Sequence, residues 1–417
     1  MGDQRNVILV TVDSLRLDYC SYADELSDAM PTLERLADDG LAFENAIATG
    51  PATHESATTF MTGEHAVERP GSTEITKSQM RTHIRAHLRS QRTLAERMSA
   101  AGYETAGFTA NPWTSRHFGF DAGFDYFEDF MDEDLSQGLI EGGRPDNTVR
   151  YALVQALNWW QGQDMFMSWE NYYDEIATWL ESADDPYFAW AFLVDPHLPY
   201  IPGDEYRSRS RLMTYLANMW MYAGRPDWFD ERFRAALLDA YEDTVRHTDA
   251  FLSRLLDDLE EMDDDPLLIV HADHGELFGE HGRYGHGGYP HEELAHVPLV
   301  VGNGPNDTVT EPFSLRRLPE LVSTLAAGGD YEALTEPWVV TRNRNPTTCI
   351  RGKNWKFGRR HDGEELLHAL PGDENEQLDN EELRAIGRQL VDDWEEAKRE
   401  RERIVRGVDE LPIGSKV

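Results

Sequence analysis

The sequence predicts an α/β fold in which helices sandwich a central, mostly parallel β-sheet and a small antiparallel subdomain follows. Two observations predict this fold. Apolar runs such as Asn6–Val12 and Pro266–His271 are continuous rather than alternating, as in strands buried on both faces of a parallel sheet. Segments with helical spacing, such as Glu231–Met262, separate these runs, and strands that alternate with helices form layered parallel sheets. The 417 residues suffice for a large domain of this kind.

The other elements of the predicted α/β domain follow in chain order. Further strands are predicted at Leu41–Ile47, Thr105–Ala110, Tyr187–Val194 and Val297–Val301. Helices are predicted at Pro31–Asp39, Thr93–Ala101 and Trp169–Ser182, and a helix start is predicted at Ser56–Met61. Gly40 and Gly102 directly follow two of these helices, at the position where glycine commonly ends a helix.

The last part of the chain has a different pattern. Short strand-like segments at Pro337–Arg342, Thr347–Arg351 and Trp355–Arg359 are separated by turn signals, and a charged helix over Glu381–Arg403 follows. We therefore predict two units, an α/β domain at residues 1–330 and a small C-terminal α+β subdomain at residues 331–417. Residues 131–167 match neither pattern, and we predict a long insertion there.

The charge of the chain is strongly acidic. Lys and Arg total 39 and Asp and Glu total 77, so the formal net charge at pH 7 is −38. Such a field repels nucleic-acid backbones, so nucleic acid is not expected as a partner. Only five of the basic residues are Lys, and the acidic residues are spread over the whole chain. This pattern favours a salt-adapted protein from a high-salt organism over ordinary acidity.

Three further classes of protein are not expected from this sequence. It contains no stretch of about 18 apolar residues, so no membrane span is expected. The first ten residues enter a strand-like run without a basic segment, so no secretory signal is expected and a cytoplasmic location is predicted. Cys20 and Cys349 are the only cysteines, which excludes a disulfide framework and a cysteine-rich zinc site.

Polar residues follow the predicted strands at the edge where parallel sheets bind ligands. Those that stand just after an apolar run are Asp13, Asp195, His197, Asp273 and His274. In α/β sheets ligands bind beyond the carboxyl ends of the strands, so these side chains are expected to meet. A single Asp after a strand is often only a helix N-cap. Several carboxylates and imidazoles at one edge instead favour a site for a divalent cation.

The segment Thr53–Gly63 supplies a candidate nucleophile. Thr53 precedes a predicted helix, where Thr commonly serves as the N-cap residue. A helix N-terminus also attracts an anionic ester through its amide groups and its dipole. A threonine hydroxyl is a weak nucleophile until a base or a metal activates it. A metal held by Asp13, Asp273 and His274 could do this and could also polarise the ester.

In order and spacing, these motifs resemble the sulfatase branch of the alkaline-phosphatase superfamily. Asp13 matches the first metal carboxylate of that family, Thr53–Gly63 matches its nucleophile motif, and Ala272–Glu276 resembles its second metal motif. Asp195–Tyr200 resembles a segment that carries a site histidine. Arg283–Leu299 is similar to the stretch in which a Lys or His reaches the leaving group. The resemblance runs from about residue 6 to about residue 380 and implies the fold of that family.

The resemblance and the positions around it give each candidate residue a role. The expected metal ligands are Asp13, Thr53, Asp273 and His274. The expected catalytic residues are Thr53, His197 and His286, the last of which matches the leaving-group position best. The expected substrate contacts are His54, Asn111 and Lys356. A second metal would need additional ligands, which His197, His286 and His291 could supply.

The nucleophile motif departs from that of true sulfatases, in which Cys or Ser is oxidised to formylglycine. That motif has Pro two places on and Arg four places on, whereas the matching positions here are Thr53, Glu55 and Ala57. Threonine cannot yield the aldehyde, so no formylglycine is expected. His274 stands where calcium-type sulfatases often have Asn. The expected cofactor is a divalent metal, Mn²⁺, Zn²⁺, Mg²⁺ or Ca²⁺, of which an imidazole ligand favours the first two.

The leading functional hypothesis is a metal-dependent hydrolase of sulfate or phosphate esters, of a kind expected in haloarchaea. Its substrate would be a small anionic ester or a sulfated or phosphorylated glycan, which Thr53 attacks. An unmodified Thr equally fits phosphodiesterases, phosphonate hydrolases and phospho-group transferases of the same superfamily. Loss of the formylglycine motif also permits a non-catalytic relative that binds a metal or a sulfated glycan. The oligomeric state is not predicted.

Overall fold

The computed structural model describes residues 4–20, 22–23, 27–66, 76–130, 167–223, 230–344, 347–372, 374 and 376–409. Its strands are β1 (Val7–Val12), β2 (Leu41–Phe43), β3 (Ala46–Ile47), β4 (Glu104–Thr109), β5 (Tyr126–Asp129), β6 (Tyr187–Leu193), β7 (Leu267–Ala272), β8 (Leu277–Phe278), β9 (Tyr284–Gly285), β10 (Leu299–Gly302), β11 (Asp307–Val309), β12 (Phe313–Ser314), β13 (Trp338–Arg342), β14 (Thr348–Gly352), β15 (Trp355–Arg359) and β16 (Glu365–Ala369). Its helices are α1 (Pro31–Asp39), α2 (Thr53–Thr62), α3 (Lys77–Ser90), α4 (Leu94–Ala100), α5 (Tyr173–Ser182), α6 (Arg211–Tyr222), α7 (Asp230–Glu261), α8 (Glu292–Ala295), α9 (Leu318–Ala326) and α10 (Glu381–Asp409).

An eight-stranded sheet forms the centre of the molecule, in the order β11-β2-β10-β7-β1-β6-β4-β5. β1 pairs in parallel with β6 on one side and β7 on the other, so that Val7 lies opposite Phe188 and Leu267. β10 runs antiparallel to both of its neighbours, and the other pairings in this sheet are parallel. The predicted α/β fold with a mostly parallel sheet is therefore confirmed.

Burial of both faces explains the composition of the central strands. Every residue of β1, β6 and β7 is buried, and their apolar side chains belong to one continuous core. Helices flank the sheet: α1 packs against β10 and α7, and α4 packs against β4. A parallel strand covered in this way has no solvent face to carry polar residues, which is why its sequence does not alternate.

A second, antiparallel sheet lies in the C-terminal part of the chain. Its order is β13-β14-β15-β16, and α10 packs on β14 and β15. A small core of its own joins the sheet to the helix, with Ile350, Phe357 and Val391 buried in it. The predicted antiparallel subdomain is present, and the boundary at residue 330 stays a prediction.

Several elements differ from the expectations. The predicted strand Leu41–Ile47 is two short strands, because the chain turns between them and the Asn45 side chain donates to Thr310 O at 2.9 Å. Helices α3, α6, α8 and α9 were not predicted. The expected insertion at residues 131–167 lies outside the described residues except for Met167. Among the described helices, none is long and apolar enough to cross a membrane.

The topology places one set of polar residues at a single edge of the main sheet. β7, β1, β6 and β4 are neighbours and run parallel, so their carboxyl ends lie together. Asp273 follows β7, Asp13 follows β1, and His197 and Asn111 stand a few residues after β6 and β4. This is the edge at which α/β sheets bind ligands.

Candidate active site

Three buried ligand side chains meet at the carboxyl ends of β1 and β7. Asp13, Asp273 and His274 are fully buried, and one ligand atom from each lies within 4.8 Å of the others. His274 Nε2 is 3.6 Å from Asp13 Oδ1 and 3.6 Å from Asp273 Oδ2. Donor atoms around a tetrahedral ion with bonds of about 2.0–2.1 Å lie about 3.3 Å apart. The spacing therefore suits one divalent cation between these side chains.

Hydrogen bonds hold the ligands in orientation. His274 Nδ1 donates to Gly275 O at 2.8 Å, which leaves the Nε2 lone pair facing the carboxylates. Asn111 Nδ2 donates to Asp13 Oδ2 at 2.6 Å, and the Ser14 hydroxyl donates to Asp13 Oδ1 at 2.9 Å. Outer partners of this kind fix the direction in which a ligand points. The site is therefore oriented by the chain itself.

The electrostatics of these side chains fit a cation. Burial, together with the charge of Asp13, raises the pKa of Asp273 well above its ordinary value. Asp273 Oδ2 is buried and has no hydrogen-bond partner among the described residues. Burial and the neighbouring His286 lower the pKa of His274 to about 4, so its imidazole is neutral. A divalent cation would bind both the unpaired Asp273 oxygen and the neutral His274 imidazole, and would compensate the buried negative charge.

Helix α2 presents Thr53 to the same group. Thr53 is the first residue of the helix, Ala52 before it is extended, and the helix ends at Gly63, whose φ of +78° suits a residue without a side chain. The Thr53 side chain is buried, and its Oγ1 atom is 3.2 Å from His274 Nε2. The hydroxyl is thus a fourth donor beside the two carboxylates and the imidazole. It also stands where the helix dipole stabilises negative charge.

Three histidine rings form a row next to these donors. The His286 ring centroid is 4.6 Å from that of His274 and 5.1 Å from that of His197. His286 Nδ1 donates to the buried Glu276 carboxylate at 3.2 Å. Burial opposes a charge on His286, but the charge of Glu276 and this hydrogen bond outweigh it and raise the pKa to about 9. His286 is therefore protonated at neutral pH and about a quarter exposed, at 26%.

His54 lies at the rim of the same group. Its ring packs against Trp113, with the centroids 5.3 Å apart. Burial, followed by the charges of Arg344, His286 and His274, lowers the pKa of His54 to about 3. His54 is therefore a neutral imidazole beside the candidate nucleophile.

The chain is similar in sequence to a known protein family. A model of the sulfatase family matches residues 5–307. The chain belongs to the sulfatase family. A curated relative in this family is human iduronate 2-sulfatase, 23% identical over 337 residues that make up 72% of this chain. The matched part spans 59% of that protein's length. Family membership confirms the resemblance and agrees with the predicted class, a hydrolase of sulfate or phosphate esters.

Solved structures of the superfamily share the fold. The 2-O GAG sulfatase BT1596 superposes with a TM-score of 0.63 and 16% identity, over 96% of this chain and 94% of that chain. The phosphonate monoester hydrolase of Agrobacterium radiobacter superposes with a TM-score of 0.62 and 18% identity, over 95% of this chain and 96% of that chain. These likenesses extend through the C-terminal sheet, so the whole described architecture is that of sulfatase-family proteins.

Two positions of the sulfatase nucleophile motif have other partners here. Glu55 Oε1 accepts a hydrogen bond from the backbone amide of Arg344, and Ala57 is fully buried in the core. The Glu55 side chain thus ties the start of α2 to the loop after β13. At the position that holds Pro in formylglycine sulfatases, Glu55 forms a structural hydrogen bond. At the position that holds Arg, Ala57 packs in the core.

The structure does not bring Lys356 to the candidate site. Its ammonium group is fully buried and contacts Pro290 O, Glu292 Oε1 at 3.1 Å and Glu374 Oε1 at 2.6 Å. These three acceptors match the three N–H donors of a lysine. His291 contacts Glu374 as well, at 2.6 Å, instead of the His274 group.

Two residues at the site were missed in the sequence. Glu276 is fully buried and is the charge partner of His286, and its place two residues after His274 was the available signal. Arg344 lies in the loop after β13, where its charge acts on His54. Its Nη2 atom is buried and has no hydrogen-bond partner among the described residues. No local pattern marks Arg344, because only the tertiary fold brings it to α2.

Proposed function

We propose that this protein is a metal-dependent hydrolase of sulfate or phosphate esters in which Thr53 is the nucleophile. One observation carries the proposal. The Thr53 hydroxyl stands at the N-terminus of a ten-residue helix, 3.2 Å from His274 Nε2, which itself lies 3.6 Å from the Asp13 and Asp273 carboxylates. A hydroxyl at a cation site and at a helix N-terminus is placed to attack an anionic ester.

The proposed metal ligands are Asp13, Thr53, Asp273 and His274. A divalent cation held there would favour deprotonation of the Thr53 hydroxyl and would stabilise negative charge on the ester oxygens. The donor set is three oxygens and one imidazole nitrogen, which favours Mn²⁺ or Zn²⁺ over Ca²⁺.

The proposed reaction has two steps. Thr53 Oγ1 loses its proton to solvent and forms a bond to sulfur or phosphorus, while the bond from that atom to the leaving oxygen breaks. His286 gives its proton to the leaving oxygen, since its raised pKa keeps the imidazole charged at neutral pH. Water then attacks the same sulfur or phosphorus atom, the bond to Thr53 breaks, Thr53 Oγ1 takes a proton back from solvent, and sulfate or phosphate leaves with one proton of the water. His286 regains a proton from that water.

The remaining side chains at the site are proposed to hold the anion. Arg344 offers a guanidinium N–H without a partner among the described residues, which matches an anionic ester oxygen. Asn111 Nδ2 carries a second hydrogen besides the one given to Asp13, and it can donate to substrate. His54 is proposed as a further substrate contact, and His197 as a catalytic side chain that binds the anion or protonates the leaving group.

Phosphate esters are a second candidate substrate class, because an unmodified Thr replaces the formylglycine precursor. On this reading the protein is a phosphodiesterase or phosphonate hydrolase, or a transferase that passes the group to an alcohol. Sulfated or phosphorylated glycans and small anionic esters remain the proposed substrates. The name of the human relative, iduronate 2-sulfatase, agrees with a sulfated sugar.

We also propose that the protein works in a high-salt cytoplasm, as in salt-loving archaea. The support is compositional: a net charge of −38 and five Lys among 39 basic residues. Self-repulsion at this charge destabilises a compact state until counterions screen it.

Paired turnover assays test the proposed function. The protein in molar KCl with Mn²⁺ is given an aryl sulfate, an aryl phosphate monoester and an aryl phosphate diester. The wild type is expected to turn over at least one of these esters. Turnover should be reduced in Thr53→Ser and absent in Thr53→Ala, which should keep its metal content. Full activity in Thr53→Ala would remove Thr53 from the mechanism. Metal binding with no turnover of any ester would instead support the non-catalytic relative.

A further inference from the structure

Four ligating side chains form a second cluster outside the candidate active site. We call His281, His291, Glu293 and Glu374 the distal cluster. Each offers a ligand atom, and these atoms all lie within 4.8 Å of one another. His281 stands in the turn Glu280–Gly282 and His291 directly precedes α8, which contains Glu293, whereas Glu374 follows β16 of the C-terminal sheet.

A ring nitrogen of each histidine faces the Glu374 carboxylate, and His281 also faces Glu293. His281 Nε2 is 3.1 Å and 3.2 Å from the two Glu293 oxygens and 4.0 Å from Glu374 Oε2. His291 Nδ1 is 2.6 Å from that same Glu374 oxygen. The two rings stack in parallel, with centroids 3.6 Å apart and planes at 8°. The two lone pairs therefore lie in parallel planes, so one ring must turn about its Cβ–Cγ bond for both nitrogens to bind one ion.

The distances fit a small metal ion. Around a tetrahedral Zn²⁺, with bonds of about 2.0–2.2 Å to nitrogen and oxygen, donor atoms are about 3.3–3.5 Å apart. The measured separations of 2.6, 3.1 and 4.0 Å lie on both sides of this value. All six donor pairs lie within 4.8 Å of one another, so shifts of about 1 Å, together with rotation of one ring, would bring the donors to this spacing.

The carboxylates of the distal cluster carry negative charge that the neighbouring Lys and Arg side chains balance only in part. Lys356 contacts the other Glu374 oxygen at 2.6 Å and Glu292 at 3.1 Å. Glu292 is paired with Arg351 as well, at 3.2 Å. The Glu293 oxygens and Glu374 Oε2, by contrast, are faced by imidazole nitrogens. Two imidazoles and two carboxylates are a common ligand set for Zn²⁺ and related divalent transition metals.

We propose that the distal cluster binds one divalent transition-metal ion, with Zn²⁺ as the best-fitting class, through His281, His291, Glu293 and Glu374. Four protein ligands leave no open position, so the site is structural and not catalytic. The ion would link the turn after β8 and the start of α8 to the loop after β16. It would thereby fasten the C-terminal sheet to the α/β domain. The proposal uses none of the candidate active-site residues, so it stands or falls apart from the proposed function.

Metal stoichiometry in a variant that lacks the candidate active site tests the proposal. The double substitution Asp13→Asn/Asp273→Asn replaces the two carboxylates of the candidate active site by nearly isosteric amides. The apo-protein is loaded with Zn²⁺ alone, passed through gel filtration in molar KCl, and analysed for bound zinc. One equivalent is expected to remain. Cobalt(II) in place of zinc should give the visible absorption of a tetrahedral ion with nitrogen and oxygen ligands.

A further substitution in the same background assigns the ion to the distal cluster. Glu374→Gln or His291→Ala is expected to lower bound zinc to none and to abolish the rise in Tm on zinc addition. His361→Ala, at an exposed histidine of the same subdomain, is the matched control and should keep one equivalent. Circular dichroism verifies that each variant is folded, and a variant that does not fold is replaced by the other. No zinc in the Asp13→Asn/Asp273→Asn protein, or zinc that survives both Glu374→Gln and His291→Ala, would overturn the proposal.

Discussion

The Thr53 hydroxyl lies 3.2 Å from the Nε2 atom of His274, although 221 positions separate the two residues in the chain. The sheet topology places the carboxyl end of β7, which His274 follows, next to that of β1, which Asp13 follows, and Thr53 at the start of α2 meets them there. The contact joins the candidate nucleophile to the candidate metal ligands.

Replacing Asn111 tests the orientation of the first metal carboxylate. Asn111→Ala removes the donor that holds Asp13 Oδ2 at 2.6 Å. Loss of such an outer partner is expected to weaken metal affinity about 10- to 100-fold. Titration of the apo-protein with Mn²⁺ measures the change. Asn306→Ala, at an exposed site, should leave the affinity unchanged, and unchanged affinity in Asn111→Ala would contradict the proposed ligand geometry.

Replacing Asp273 is expected to have opposite effects on the stability of the apo-protein and on metal binding. The pKa of Asp273 is raised by burial and by Asp13, so its ionised form destabilises the folded state. This destabilisation is absent at pH values below the pKa of Asp273 in the unfolded chain. It is complete once the pH exceeds the pKa of Asp273 in the folded protein. Asp273→Asn is therefore expected to raise the Tm of chelator-treated protein at alkaline pH by a few degrees, while metal binding is lost. A matched Asp174→Asn variant, at an exposed carboxylate, should change neither. A lower apo Tm in Asp273→Asn would argue against carboxylate repulsion at this site.

The pH profile tests His286 as the proton donor. With a pKa of about 9, held up by Glu276 against the opposing effect of burial, His286 stays protonated at neutral pH. Turnover should therefore fall as the pH rises through about 9. Glu276→Gln removes the charge that raises this pKa, so the alkaline limb should move to lower pH. Glu311→Gln, at an exposed carboxylate, serves as the control. A limb at the same pH in Glu276→Gln would exclude His286 as the titrating group.

Arg344 is expected to act on substrate binding. Hydrogen bonds to charged groups contribute about 1.5–3 kcal/mol, so Arg344→Ala should raise KM roughly 10- to 100-fold with a smaller change in kcat. Arg344→Lys should recover part of the loss. Steady-state kinetics on the preferred aryl ester measure both constants. The same values of KM in wild type and Arg344→Ala would show that this guanidinium does not contact substrate.

The salt dependence of stability tests the proposed high-salt environment. At a net charge of −38, the folded chain repels itself at low ionic strength, and salt reduces the Debye length from about 30 Å at 0.01 M to about 3 Å at 1 M. The Tm is therefore expected to rise steadily from dilute buffer to molar KCl. A Tm that is the same at both ends of that range would contradict the salt-adaptation proposal.

The sequence predicts most of the architecture and the centre of the candidate site. Asp13, Asp273 and His274 could be found because each stands directly after an apolar run, and strand order in parallel sheets brings such positions together. Thr53 could be found because it begins a helix. Helix α3 was missed although its capping box between Thr76 and Gln79 was a readable signal. Its mostly polar sequence obscured the apolar spacing.

Other features depend on contacts that no local pattern reveals. The antiparallel direction of β10 depends on the path of the chain after β7, not on the apolar run itself. Lys356 could be aligned with a family position, but its partners Glu292 and Glu374 come from different elements. The same holds for Arg344, and for Glu374 of the distal cluster. These residues are brought together by tertiary packing over long sequence separations.

The central claim is that Thr53 forms a covalent ester during turnover. The most direct test is acid quenching of the Mn²⁺-loaded protein during turnover of the preferred aryl ester, followed by peptide mass spectrometry. The account predicts one sulfuryl or phosphoryl group on Thr53, absent in Thr53→Ala and absent before substrate is added. Turnover with an unmodified Thr53, or with the group on another residue, would contradict it.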